Sequence, residues 1–417
     1  MDNYLEYAGL DSERFSVFLK RIKDSAEGKK RIDTDRIVRD LDELSKRIVS
    51  DEHRKLLMEL GLCREKAEYE LKEAQHMLSQ SYIRGRLEKE LAPFNTDTVR
   101  EGRCITEKVS PLGTVFHICA GNMDALPFYS LMEGLITGNI NIIKLPGGDM
   151  LTLKLTEMLL EIDPCLSDML YITDIPSLDI QKLKALADIS DAVVIWGGDE
   201  AVKAVRNMAP VNTRIIEWGH RMSFAYVTSC VTEEALRDIA VNVCDTEGIL
   251  CTSIQGIYYD SSDMEETRAF AHRFQKILSE VSKRMLGRLG SMYARGTVTQ
   301  YTYHLEDPSG TELINDENCS VILMKDSMPR IFGPRSIFVI PLEQERIAGS
   351  LSGLKSYLSS VALYCTKEEE DGITDSFIRA GACRITDAQH ISGGEDGLAH
   401  DGRYSLRELT KIVTIER

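Results

Sequence analysis

The chain has 417 residues, 43% of them hydrophobic and 28% charged, with a formal net charge of −16, which is enough for two or three domains around a sizeable core. That charge disfavours nucleic acid as a partner by simple repulsion, and no apolar run reaches the roughly 18 residues that a membrane helix needs. Ten cysteines form no CxxC pair and no Cys/His cluster at metal-ligand spacing, so free thiols and no metal are expected. The start, Met1-Asp2-Asn3-Tyr4-Leu5-Glu6, lacks the basic and apolar stretches of a secretion signal, and a cytoplasmic location is expected.

Residues 1–93 are rich in Glu, Lys, Leu and Arg, with helical spacing at Leu56, Leu57 and Leu60, again at Leu71, Ala74 and Leu78, and a stop at Pro93. This predicts a helical N-terminal region whose intermixed charges read as a solvated face without chemistry. Residues 94–224 change texture, with apolar runs at 113–118, 139–144 and 192–196 that suit buried parallel strands. The stretches between them are long enough for crossover helices, over 124–137, 150–162 and 179–187. Repeated βαβ units of this kind give a doubly wound, Rossmann-type sheet that binds nucleotides at its strand C-termini. Residues 225–380 read as a second, catalytic α/β domain, with strands at 254–259 and 336–340 and a long helix over 264–285. The C-terminal segment, 381–417, carries Gly393-Gly394, the run His400-Asp401-Gly402-Arg403-Tyr404 and a short amphipathic end.

Gly248-x-x-Cys251 alone is a common pattern, but it follows Asn122, Lys144 at the end of the strand that begins Gly138-Asn139, Gly197-Gly198 after a strand, and Glu217-Trp218-Gly219-His220. A thiolate attacks a carbonyl or thioester carbon and holds the acyl group through hydride transfer. Glycines such as Gly197 and Gly198 let backbone N–H groups approach a pyrophosphate at a helix start, although Asp199 and Glu200 would repel it unless turned away.

In order and spacing the series resembles the aldehyde dehydrogenase superfamily over about residues 94–345. The resemblance implies that Cys251 is the nucleophile and that Asn122, with the Cys251 backbone N–H, stabilises the oxyanion. It further implies that Lys144 contacts the adenosine ribose or its 2′-phosphate, that Glu217 is the carboxylate able to activate water, and that Phe332 packs near the nicotinamide. Gly147 stands where relatives that prefer NAD carry an acid, so NADPH is expected over NADH. Arg330 stands where the superfamily has Glu, with no substitute residue apparent.

Further details are Cys119-Ala120-Gly121-Asn122, the run Gly219-His220-Arg221-Met222-Ser223-Phe224-Ala225 and the His400-Asp401-Gly402-Arg403-Tyr404-x-Leu406 tail. These look like the acyl-CoA reductase family of bacterial bioluminescence, the LuxC type. That narrower resemblance implies an aldehyde dehydrogenase-like α/β fold and reduction of an acyl-CoA or acyl-protein thioester to an aldehyde with NADPH. An acyl-protein synthetase or acyltransferase partner and a homo-oligomer are expected with it. The competing reading is a hydrolytic aldehyde dehydrogenase that uses Glu217 as base. A glutamyl-phosphate reductase fits the surroundings of Cys251 poorly, and a binding protein without turnover would leave Cys251 unacylated.

Overall fold

The computed structural model describes residues 5–6, 11–28, 32–100, 103–121, 125–147, 149–248, 250–285, 291–325, 328–393 and 396–417. The chain forms two compact units, one from Met1–Gly219 with Asp396–Arg417 and the other from His220–Glu395.

The first unit begins with β1 (Leu5–Glu6) and five helices: α1 (Ser12–Glu27), α2 (Thr34–Ile48), α3 (Asp51–Glu59), α4 (Arg64–Leu78) and α5 (Gln80–Glu90). Asp11, Asp33, Ser50 and Ser79 cap α1, α2, α3 and α5 by accepting first-turn N–H groups, which meets donors a helix start would otherwise leave open. The helices do more than present charge to water. Ile37, Val38, Leu41, Leu44 and Ile48 of α2 share one buried cluster with Leu131, Leu135 and Ile143, so a narrow apolar stripe hides among the charges.

The chain continues through β2 (Thr96–Arg100), β3 (Arg103–Pro111), β4 (Thr114–Ile118), α6 (Leu126–Ile136), β5 (Ile140–Lys144), α7 (Met150–Ile162) and β6 (Leu170–Thr173). It then adds α8 (Ile180–Asp188), β7 (Ala192–Trp196), α9 (Asp199–Met208) and β8 (Arg214–Trp218). Strands β1-β6-β5-β4-β7-β8 line up in that order, every pair parallel. From β4 the connections run to β5 and β6 on one side, while β7 and β8 lie on the other. In open parallel sheets ligands bind past the C-terminal strand ends at such a reversal, here the ends of β4 and β7.

The second unit contains β9 (Met222–Val227), α10 (Glu233–Thr246), β10 (Ile254–Tyr259), α11 (Met264–Arg284), α12 (Ser291–Glu306), β11 (Thr311–Asn315), β12 (Ser320–Met324) and β13 (Ser336–Pro341). It ends with α13 (Ile347–Ser350), β14 (Leu358–Tyr364), α14 (Glu370–Ala380) and β15 (Arg384–Thr386). Its sheet runs β11-β12-β13-β10-β9-β14-β15, parallel except at the β11/β12 hairpin. All six residues of β9 and of β10 are buried, as expected for central strands covered on both faces.

The last residues return to the first unit as α15 (Ser405–Glu408) and β16 (Thr410–Glu416). The amphipathic end is therefore a strand, paired antiparallel with β3 in a three-stranded sheet β16-β3-β2. Beside it, buried Arg86 pairs with Glu90 and Glu133 at 2.9 Å each, and donates to Ser405 Oγ at 2.7 Å. Glu90 accepts the Leu406 N–H at 2.9 Å, so a buried charge cluster ties α5, α6 and α15 together. Among the described residues no helix is long and apolar enough to cross a membrane.

Candidate active site

In the first unit, five of the expected residues collect at one sheet edge, the C-terminal end. Lys144 ends β5 and is buried, with Nζ donating to Ser177 Oγ at 2.9 Å. Burial holds its pKa below the usual lysine value, because desolvation penalises the charge. Gly147 follows in the loop, and a side chain there would meet nothing within 4 Å. Gly197 leaves β7 with its N–H on Trp218 O at 3.2 Å, and an added Cβ would stand 3.1 Å from Ala201 Cβ. Gly198 is the N-cap of α9, contributes no side-chain cap and has open space in front of it. Asn122 lies outside the described residues. Its neighbour Gly121 approaches the loop after β5, since a Cβ there would lie 3.1 Å from Pro146 Cβ.

Glu217, on β8, does not stand alone. Arg206 of α9 holds both carboxylate oxygens, through Nε to Oε1 and through Nη2 to Oε2 at 2.7 Å. Next to it, Trp218 stacks on Trp196 with ring centroids 5.4 Å apart. The Arg403 guanidinium lies 4.3 Å from the Trp218 ring and donates to the Glu217 carbonyl. The His400 ring packs edge-on against Trp218 at 5.1 Å and lies 5.7 Å from Trp196.

Behind this edge a polar chain runs through the core. Trp196 Nε1 donates to Ser130 Oγ at 3.0 Å, Ser130 Oγ lies 2.7 Å from His117 Nδ1, and His117 Nε2 lies 3.0 Å from Asn141 Oδ1. The Asn141 amide nitrogen donates to Asn139 O, which leaves Oδ1 as the acceptor and places the single ring proton on Nε2. Full burial holds His117 down to about 4. Cys119, also buried, has its thiol pushed well up by desolvation.

In the second unit, Cys251 sits in the loop that enters β10. Glu247 and Gly248 end α10 in left-handed conformation, φ 49° and 71°, which turns the chain sharply and suits glycine at the second position. Four bonds then fix the loop: Ser223 Oγ to Cys251 O at 2.7 Å, Leu250 N to Ser253 Oγ at 3.0 Å, Ser253 N to Leu250 O at 3.0 Å, and Gln255 Nε2 to Gly248 O at 3.0 Å. Cys251 is partly buried, as is Cys365, and burial pushes the thiols of Cys319 and Cys365 up to about 12 and about 11 and raises that of Cys244. A Cβ on Gly248 would lie 3.6 Å from Gly333 O, so the loop of Phe332 abuts the cysteine loop. Phe332 itself is buried against Tyr303, centroids 5.7 Å apart, and the Arg330 guanidinium stacks 4.2 Å from the same tyrosine ring.

The first unit thus gathers Lys144, Gly147, Gly197, Gly198 and Glu217, and the second gathers Cys251 and Phe332. Sequence reasoning missed Arg206, Ser177 and the aromatic group around His400. One signal was available: the chain has only two tryptophans, and each adjoins an expected site residue.

A family model described as acyl-CoA reductase (LuxC) matches residues 30–412. The long-chain acyl-protein thioester reductase of Vibrio harveyi is 23% identical over 323 residues, covering 76% of this chain and 67% of that protein. Long-chain acyl-protein thioester reductase 2 of Photobacterium leiognathi is 27% identical over 383 residues, covering 87% and 77%. The corresponding Photobacterium phosphoreum reductase is 28% identical over 339 residues, covering 76% and 65%, so the chain spans about two thirds to three quarters of the length of these relatives. Among solved structures, the glyceraldehyde-3-phosphate dehydrogenase GapN of Methanocaldococcus jannaschii, complexed with NADP, superposes with a TM-score of 0.76 at 14% identity over 98% of this chain and 95% of that one. A Sinorhizobium meliloti NAD-dependent aldehyde dehydrogenase gives 0.75 at 16% identity, over 98% and 87%. The fold is the aldehyde dehydrogenase-like α/β fold that the sequence implies.

Proposed function

Because the chain belongs to the acyl-CoA reductase (LuxC) family, and is therefore an oxidoreductase acting on acyl groups, we propose that it reduces an acyl thioester to an aldehyde with NADPH through a Cys251 thioacyl-enzyme. The observation that carries this reading is the Cys251 loop, fixed by Ser223, Ser253 and Gln255, with a partly buried Cys251 in it.

The sheet edge of the first unit fits a nicotinamide dinucleotide. Lys144, held by Ser177, would meet the adenosine ribose end, and the open space at Gly147 leaves room for a 2′-phosphate. Gly197 and Gly198 would present backbone N–H groups to the pyrophosphate. When bound, the cofactor supplies the hydride. Phe332 has little surface left to offer a ligand, so its expected role needs the ring uncovered.

The Cys251 thiolate attacks the thioester carbon, the carrier sulfur leaves, and the acyl group stays on Sγ. Asn122 and the Cys251 N–H would stabilise the oxyanion formed here and again after reduction. Collapse of the thiohemiacetal then frees the aldehyde and the Cys251 thiolate. Glu217 is held by Arg206 rather than offered to a water, which favours transfer to a thiol over loss of the acyl group to hydrolysis.

Acyl-CoA and acyl-protein are both substrates within this reading. An acyl-protein synthetase or acyltransferase partner, a homo-oligomer and a cytoplasmic setting carry over from the family resemblance as parts of it. The test is aldehyde formation from acyl-CoAs of graded length with NADPH. Aldehyde at the wild-type rate from Cys251→Ala would overturn the mechanism, and oxidation of aldehyde by NADP⁺ equally fast with and without CoA would favour the hydrolytic alternative.

A further inference from the structure

The polar chain behind the first unit's sheet edge has a direction. With the His117 ring proton on Nε2 and donated to Asn141 Oδ1, Nδ1 is an acceptor, so the Ser130 hydroxyl donates to it at 2.7 Å. The Ser130 oxygen is then the acceptor for the Trp196 Nε1–H at 3.0 Å. Each link fixes the next: Asn139 O orients the Asn141 amide, which sets the imidazole, then the hydroxyl and finally the indole. His117, Ser130 and Asn141 are all buried, and the chemistry at Cys251 uses none of them. Burying three polar side chains works against stability unless each is paired, and an apolar filling would avoid that. A fully paired chain instead rigidifies what it ends on, and this one ends on Trp196.

Trp196 stands where a rigid ring matters. It is the last residue of β7, immediately before Gly197 and Gly198, the glycines that would present N–H groups to a pyrophosphate. The only other tryptophan, Trp218, ends the adjacent β8 in register with it and stacks on it with 26° between the ring planes. Trp218 is buried, with the Arg403 guanidinium over its ring and the His400 ring edge-on against it. Trp196 is only partly buried. Trp218 therefore backs the pair, and Trp196 is the indole left with open surface. Strand order assigns the pair an end of the cofactor. Lys144, which would meet the adenosine ribose, ends β5, and β4 lies between β5 and β7, so at about 4.8 Å per strand the two strand ends are roughly 10 Å apart. With adenosine at β5 and pyrophosphate at Gly197-Gly198, the nicotinamide continues toward β8.

We infer that Trp196 is the aromatic floor on which the nicotinamide ring of the cofactor stacks, with Ser130 as the residue that positions it. This rests on the nicotinamide-cofactor part of the proposed function. An indole face suits a flat heteroaromatic ring. Ser130 acts through Trp196, by holding its N–H inward and its plane at one angle.

The experiment is equilibrium binding by calorimetry, without acyl donor. NADPH and NADH are each compared with the fragment that lacks only nicotinamide and its ribose-linked ring contact, 2′-phospho-ADP-ribose or ADP-ribose. Trp196→Leu is expected to weaken the dinucleotide by roughly 10-fold, the scale of one aromatic stack, and to leave its fragment within a factor of about two. Ser130→Ala should weaken the dinucleotide several-fold in the same selective way, and Ser130→Thr, which keeps the hydroxyl, should restore it. In Trp218→Phe, Trp196 is the sole indole, and the dinucleotide should quench its emission where the fragment does not. Equal dinucleotide affinities in the wild type and Trp196→Leu, equal losses of dinucleotide and fragment in variants that melt like the wild type, or Trp196 emission that responds alike to both ligands would overturn the assignment. A wild-type chain that binds neither NADPH nor NADH would overturn the cofactor reading itself.

Discussion

A carboxylate held through both oxygens by a guanidinium has one lone pair on each oxygen engaged and is turned to that partner rather than to a water. Arg206 does this to Glu217. Arg206→Ala should therefore let more of the acyl-enzyme escape as free acid, with the acid-to-aldehyde ratio rising several-fold and approaching roughly the 10²-fold a general base contributes. Product partition measured by chromatography checks this, and an unchanged ratio would show that the pair does not restrain Glu217. Stability should hardly move, because the Arg206 side chain is 63% exposed and solvent screens such pairs.

At the scale of elements, His117 joins β4 to α6 and β5, and through Ser130 to β7. Its ring has a pKa of about 4 in the folded chain against 6.5 as the ordinary value. Between those values the unfolded chain carries the extra proton, so stability is complete above about pH 6.5 and falls as the pH drops toward 4, by about 3 kcal/mol in all. Urea midpoints measured from pH 7 to pH 4.5 should fall more steeply in the wild type than in His117→Gln, and parallel curves would count against this source of acid sensitivity. The same elements show what sequence can convey. Strand 192–196 and helix 150–162 are legible to the residue because an unbroken apolar run marks a buried parallel strand and the stretch between two such runs is long enough for a crossover helix. Strand β16 reads as an amphipathic tail because five of its residues, 411–414 and 416, are exposed, so pairing with β3 rather than burial makes it a strand. Likewise order along the chain nominates Lys144, Gly197 and Glu217, which lie at one end of the first sheet, whereas the Arg206 clamp and the ring group around His400 exist only once distant segments meet.

For the whole molecule, the Arg86 cluster carries a large share of the first unit's coherence. Burial works against the Arg86 charge, but Glu133 and Glu90 overcome it and raise its pKa. Burial outweighs Arg86 at Glu90 and raises that carboxyl. Removing the cation leaves two buried carboxylates without a counter-charge, which typically costs about 3–5 kcal/mol. Arg86→Met should split thermal unfolding into two transitions, the first unit melting early and the second unit unchanged, as followed by calorimetry. A single transition at the wild-type temperature would show that the cluster contributes little.

The return of residues 396–417 to the first unit also has a consequence for synthesis. The ribosome delivers the continuous stretch 220–395 before it delivers the strand and the Ser405 and Leu406 contacts that finish the unit begun at the start. Domains usually mature in order of emergence, but here the later one has all its parts first. Until the chain's final residues appear, Arg86 and its carboxylates wait without their last partners, and a nascent chain stalled before residue 396 should expose them to protease while stretch 220–395 already resists.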